Sequence, residues 1–106
     1  MAAYIVFIRL RTRDPEQLAL YAKQAPAFMA GHAVRPLANF SGSCESLEGA
    51  AAEGAAILEF PTLAEAKAWY VSPAYQKACE HRYQGGDYCA MILEGVAPGP
   101  TKDGKG

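Results

Sequence analysis

Three side chains are best placed to do chemistry: Glu59, Arg82 and His32. Glu59 lies in the run 55–60 (AAILEF), on the strand face shared by Ala55 and Ile57. A carboxylate among apolar neighbours calls for a raised pKa or a cationic partner. It is therefore a candidate general acid or base, with a structural ion pair or a water-facing strand end before Pro61 as the plainer alternative. Arg82 falls near the C-terminus of a short helix, where the helix dipole favours a cation. Its planar fork suits a substrate carboxylate or enolate. The structural alternative is a pair with Glu59, Asp87 or a partner subunit. His32 closes the apolar stripe of the first helix and can carry a proton near neutral pH, or simply cap backbone carbonyls there. Tyr75, Tyr4, Trp69, Tyr21 and Tyr70 are the aromatic candidates for a pocket wall around a small planar or apolar ligand, Tyr75 first among them. Core or subunit interface is the commoner use of such residues. His81 is expected to face solvent.

The elements that must position these groups are legible from pattern. Residues 4–11 alternate, with Tyr4, Val6, Ile8 and Leu10 on one face and Ile5, Phe7, Arg9 and Arg11 on the other, which reads as a strand. Arg9, Arg11 and Arg13 read as a solvated basic edge. Asp14-Pro15-Glu16-Gln17 has the form of a capping box with Pro at the first helical position. The stripe Leu18, Tyr21, Ala22, Ala25, Phe28, Met29, His32 then predicts one helix, bent by Pro26 near Ala22 and stopped at Gly31. Residues 35–40 predict a weaker edge strand, as Pro36 requires, with 44–47 as a continuation and 48–54 as a loop. The run 55–60 is apolar on both faces and predicts a central strand. Thr62-Leu63-Ala64-Glu65 opens a second helix through Tyr70, and Ser72-Pro73 opens a third to about Tyr83. Residues 87–94 form the last strand, and 97–106, rich in Pro, Gly and Lys, read as a flexible tail. The order is ferredoxin-like βαββαβ: an α+β protomer with a four-stranded antiparallel sheet and its helices on one face. It forms a single domain over residues 1–96. Several strands are apolar on both faces, so the bare sheet face needs a cover, and a second copy of the chain is the simplest one.

Several function classes lose support. Ten basic and eleven acidic residues leave a net charge of -1 over 106 residues, without the clustered positive charge that nucleic acid or an anionic membrane needs. No apolar run approaches the ~20 residues of a membrane helix, and the first residues lead into a strand rather than a signal peptide. These features predict a cytoplasmic protein. Cys44, Cys79 and Cys89 are an odd number with no CxxC pair; they predict buried or half-buried free thiols rather than a disulfide framework or a zinc site. There is no phosphate loop, GxGxxG, HExxH or GxSxG, and no metal or cofactor is called for.

The series Leu58-Glu59-Phe60-Pro61, Ala66 to Tyr70, Ser72-Pro73-Ala74-Tyr75-Gln76 and Arg82 resembles the domain of unknown function 1330 family, within the dimeric α+β barrel superfamily. Ala3-Tyr4-Ile5, Asp14-Pro15-Glu16, Pro26 and Ile92-Leu93-Glu94-Gly95 extend the likeness over roughly residues 3 to 96. The family commonly has His-Gly-Gly after the first helix; here His32-Ala33-Val34 stands there, and the backbone freedom of two glycines is lost. The resemblance implies the ferredoxin-like fold, a homodimer, and a cavity between sheet and helices. It implies no single reaction, since superfamily members include cofactor-independent oxygenases, haem-degrading enzymes, isomerases and dehalogenating enzymes.

Two readings of different class follow. In one, the chain is a cofactor-independent enzyme on a small carbonyl or carboxylate compound, with Arg82 orienting the anion, Glu59 moving a proton, and His32 or Tyr75 assisting. In the other, it is a non-catalytic ligand-binding or stress-associated homodimer whose polar residues serve assembly.

Overall fold

A computed structural model of the chain describes residues 1–96; the tail expected at 97–106 lies outside the described residues. The order is β1 (Ala3–Thr12), α1 (Pro15–Lys23), α2 (Ala25–Met29), β2 (Arg35–Ala38), β3 (Gly54–Phe60), α3 (Leu63–Tyr70), α4 (Pro73–Gly85) and β4 (Gly86–Glu94). The four strands make one antiparallel sheet in the order β2-β3-β1-β4. Alternation along β1 and β3 sends Ala3, Ile5, Phe7, Ala56, Leu58 and Phe60 to the helix-covered face. There they meet Phe28, Trp69, Tyr75, Ala78 and Cys79 in one core.

Local chemistry explains the element starts. Asp14 accepts from the Glu16 N–H (3.1 Å), Thr62 from the Glu65 N–H (3.1 Å) and Ser72 from the Tyr75 N–H (3.4 Å), each satisfying a free donor of a first turn. The expected capping box at Asp14 is only half made, because the Gln17 side chain turns to His81 instead, 2.7 Å from its Nδ1. His81 is accordingly half-buried rather than solvent-facing. The first helix is broken, not bent. Pro26 has no N–H to give Ala22, and α1 ends at Gln24, whose N–H reaches the Tyr21 carbonyl (3.1 Å) before α2 restarts. The connection from α4 to β4 is tight: a Cβ on Gly86 would stand 2.6 Å from the Arg11 carbonyl oxygen.

The continuation expected at 44–47 is not a strand. Residues 41–51 are all exposed and irregular, because the small residues there have no apolar face to bury. Of the three thiols, only Cys79 is buried; Cys44 and Cys89 are exposed.

The second face of the sheet is left open. Cross-strand pairing puts Tyr4, Val6 and Ile8 beside Leu93, Met91 and Cys89 on one side and beside Glu59, Ile57 and Ala55 on the other. Met91 and Leu93 are 42% and 49% exposed, well above what a covered apolar face allows.

Candidate functional site

A hollow of about 450 Å³ lies between the inner sheet face and α1–α2. That is within the range of small-molecule sites. Phe7, Ala56 and Leu58 come from the strands, Tyr21 and Phe28 from the helices, and Trp69 closes the inner end. Phe40, just beyond β2, sits at the mouth with its ring edge-on to Tyr88 (centroids 5.7 Å) and the Arg9 guanidinium 5.0 Å above it.

The walls are rigid for identifiable reasons. Trp69 is fully buried, and its Nε1–H donates to the Phe28 carbonyl (2.8 Å), fastening α3 to α2. Tyr75 stacks on Trp69 (centroids 4.1 Å) and meets Phe28 edge-on (5.1 Å). Its hydroxyl is spent on the Tyr21 hydroxyl, 2.8 Å away. Burial pushes the Tyr21 phenol up to about 12, against the pull of the Tyr75 hydrogen bond and the Arg82 charge. Burial, then the nearby Tyr21, push Tyr75 higher still. Both phenols are therefore neutral at neutral pH.

Arg82 sits in the layer behind this wall. It is 4% exposed, yet among the described residues no carboxylate pairs with it. Its Cζ lies 5.2, 5.1 and 5.1 Å from the rings of Phe7, Tyr83 and Tyr88. Its side chain makes a long hydrogen bond to the Cys79 sulfur (3.8 Å), and its Nε–H has no partner among the described residues. Burial works against the charge, the Tyr75 phenol works for it, and the balance lies above the ordinary arginine value, so the guanidinium stays protonated.

Glu59 lies on the other side of the sheet. It is paired with Arg35 at 2.8 Å, its side chain 24% exposed, and Tyr4 stands opposite it on β1. Glu59 and Arg82 thus do not meet: strand alternation puts the carboxylate outward, while α4 packs on the inward face. His32 is half-buried and borders, with Glu59, Arg35 and Pro61, a shallower hollow of about 410 Å³ at this end of the sheet. The residues brought together are therefore Tyr75, Trp69 and Arg82 inside, and Glu59, His32 and Arg35 outside, with Tyr4 on the outer face.

Tyr21, one of the aromatics expected at a pocket wall, lines the cavity; Arg9, Phe28 and Phe40 line it too without standing out in the sequence as site residues. Arg9 shares strand parity with Ile5 and Phe7, which is the signal in the sequence that it turns inward rather than joining a solvated basic edge. It pairs with Glu53 (3.2 Å) at the cavity mouth. Glu53 also accepts from the Thr12 hydroxyl (2.6 Å) and the Thr12 N–H (3.0 Å), which hold its carboxyl below the ordinary value. Arg13 is spent on Asp87 (2.9 Å) and on the carbonyls that end α4.

An antiparallel β2-β3-β1-β4 sheet with helices on one face and a cavity between the layers defines a ferredoxin-like α+β protein. The chain belongs to the family described as domain of unknown function DUF1330, whose model matches residues 2–96. Among solved structures it is similar to a protein of unknown function from Rhodopseudomonas palustris (17% identity, TM-score 0.66, covering 92% of this chain and 84% of that one). It is similar also to a dimeric ferredoxin-like protein of unknown function from Thermobifida fusca (14% identity, TM-score 0.61, covering 89% and 91%). A third similar structure is SnoaB of Streptomyces nogalater, a cofactor-independent oxygenase (8% identity, TM-score 0.61, covering 94% and 97%). At these identities the likeness speaks to fold alone. No curated protein matches the chain in sequence. Among the described residues, no helix is long and apolar enough to cross a membrane.

Proposed function

We propose that this chain works as a homodimer that binds a compact, largely apolar molecule in the hollow between sheet and helices. The observation that carries the reading is the 450 Å³ cavity itself, walled by Phe7, Tyr21, Phe28 and Trp69 on rigidly held elements. Trp69 is the inner wall, Tyr75 fixes the Tyr21 hydroxyl, and Arg82 supplies positive charge from behind. Self-association is supported by the open apolar face around Val6, Ile57 and Met91, and by the description of the Thermobifida fusca neighbour as dimeric. A cytoplasmic setting is supported by three free thiols. Cofactor-independent chemistry, as in the SnoaB neighbour, is the first activity to assay on any molecule that binds. Under this reading Glu59, His32 and Tyr4 belong to the outer face and the assembly rather than to the reaction.

The test is a thermal-shift screen at fixed protein concentration against small carboxylates, keto acids and phenols, with Ala56→Leu as the filled-cavity control. A ligand at ~100 times its dissociation constant adds about 2.7 kcal/mol, enough to raise Tm by several degrees. Hits that vanish in Ala56→Leu support the cavity. A panel without hits, or hits that Ala56→Leu leaves intact, overturns it.

A further inference from the structure

An arginine buried with an N–H unpaired, and with no acidic partner, among the described residues is an unfinished arrangement. Buried donors are nearly always satisfied, and buried charges are normally paired. Around Arg82 the available groups are three aromatic rings, a thiol and neutral phenols. The rings attract the cation through their faces but accept nothing in the plane of the guanidinium, where Nε–H points. Asp87, one strand residue beyond the helix, is taken by Arg11 and Arg13 (3.3 and 2.9 Å). Glu59 faces the far side of the sheet.

Phe7 and Tyr88 belong to both places. Each borders the cavity, and each lies against the Arg82 guanidinium. Arg82 itself does not line the hollow, but these two rings touch both. Tyr21, also on the cavity wall, carries a neutral hydroxyl held in the same region by its hydrogen bond with Tyr75.

We infer that Arg82 is the anchor for an oxyanion on the cavity's ligand, so that the molecule it takes is a flat apolar body bearing one carboxylate or phenolate. The inference rests on the cavity reading above and adds the charge of the ligand to it. The anion supplies the acceptor that Nε–H lacks and balances the buried charge, while the apolar body fills the aromatic hollow. Turning of the Phe7 or Tyr88 ring is the movement that admits it. Arg9, at the mouth, is the competing cation, but it is already paired with Glu53.

The probes are 2-naphthoate and its neutral counterpart 2-naphthamide, titrated into the full-length protein by calorimetry at pH 7.5. The acid is expected to bind ~10- to 100-fold more tightly than the amide, the range for a hydrogen bond to a charged group. The preference should be abolished in Arg82→Met and kept in Arg9→Met. In wild-type protein the Arg82 Nε–H resonance should move downfield with naphthoate and stay in place with naphthamide, a readout that needs no variant to fold. Equal binding of acid and amide overturns the anion anchor and leaves the cavity reading standing. A preference that persists in Arg82→Met, or disappears in Arg9→Met, also overturns it, by moving the anchor to the mouth. Binding of neither probe, with no hit in the wider screen, removes the cavity reading and this inference with it.

Discussion

Replacing Arg82 by methionine should make the ligand-free protein more stable. The loss side is countable. Three ring contacts at 5.1–5.2 Å go, each worth about 0.5–1 kcal/mol and somewhat more when desolvated. A favourable interaction with the α4 C-terminus goes as well, roughly 0.3–1 kcal/mol. The hydrogen bond to the Cys79 sulfur is long and contributes little. On the gain side, the unpaired Nε–H disappears, relieving about 1–3 kcal/mol. So does a buried charge without a counter-ion, whose effective penalty in proteins is on the order of several kcal/mol. Methionine is unbranched and fills the same channel between the rings. The balance favours the variant by about 1–3 kcal/mol, or a Tm increase of roughly 5–15 °C for a chain of this size. The assay is thermal unfolding at matched protein concentration without ligand, with sedimentation velocity alongside to compare association. Were Arg82 half of a hidden structural pair, removing it would cost ~3–5 kcal/mol. A Tm lowered by 5 °C or more, or weakened association, would refute the reasoning.

Three further outcomes are expected. Trp69→Phe strands the Phe28 carbonyl and leaves a void beside Tyr75, which should cost about 2–4 kcal/mol in urea unfolding. Glu53 has a folded pKa below its ordinary 4.5, first through the Thr12 hydroxyl. Its contribution is therefore complete above pH 4.5 and lost as pH falls through the lower folded value, and Glu53→Gln should show less loss of stability than wild type over that acidic range. Met91→Arg places a cation in the middle of the open sheet face and should yield monomers by sedimentation at micromolar concentration, with the secondary structure unchanged by circular dichroism.

The fold could be read because its signals are local. Asp14, Thr62 and Ser72 mark helix starts by the hydrogen bonds that they make, and strand alternation in β1 and β3 declares two faces. Which face the helices cover was not declared, since AAILEF is apolar on both; Glu59 and Arg82 could be grouped on paper although the sheet divides them. Gln17 illustrates the same limit. A local box and a distant His81 compete for one side chain, and only the packing of α1 on α4 decides. The cavity is a tertiary object, made where the α1–α2 break, the Phe40 corner and the β1 inner face come together, and Pro26 alone does not say whether a helix bends or stops. Arg82 was singled out from its helix position. Its lack of a partner, which gives it meaning, is visible only in three dimensions.

The segment between β2 and β3 is fastened to the rest of the fold at both ends, and between them it is braced by local bonds such as Ala52 N–H to Ser46 Oγ (2.9 Å). Phe40 is wedged between Tyr88 and Arg9 at one end, Glu53 is bound to Thr12 and Arg9 at the other, and residues 41–51 lie exposed between them. Closing a loop of twice the length costs only about 0.6 kcal/mol more. Insertions and deletions between these two fastenings therefore leave the sheet almost indifferent, while altering what stands at the entrance to the hollow. Relatives with the same framework can diverge in the molecules they admit by changing this stretch alone, so it is where length variation within the family should concentrate.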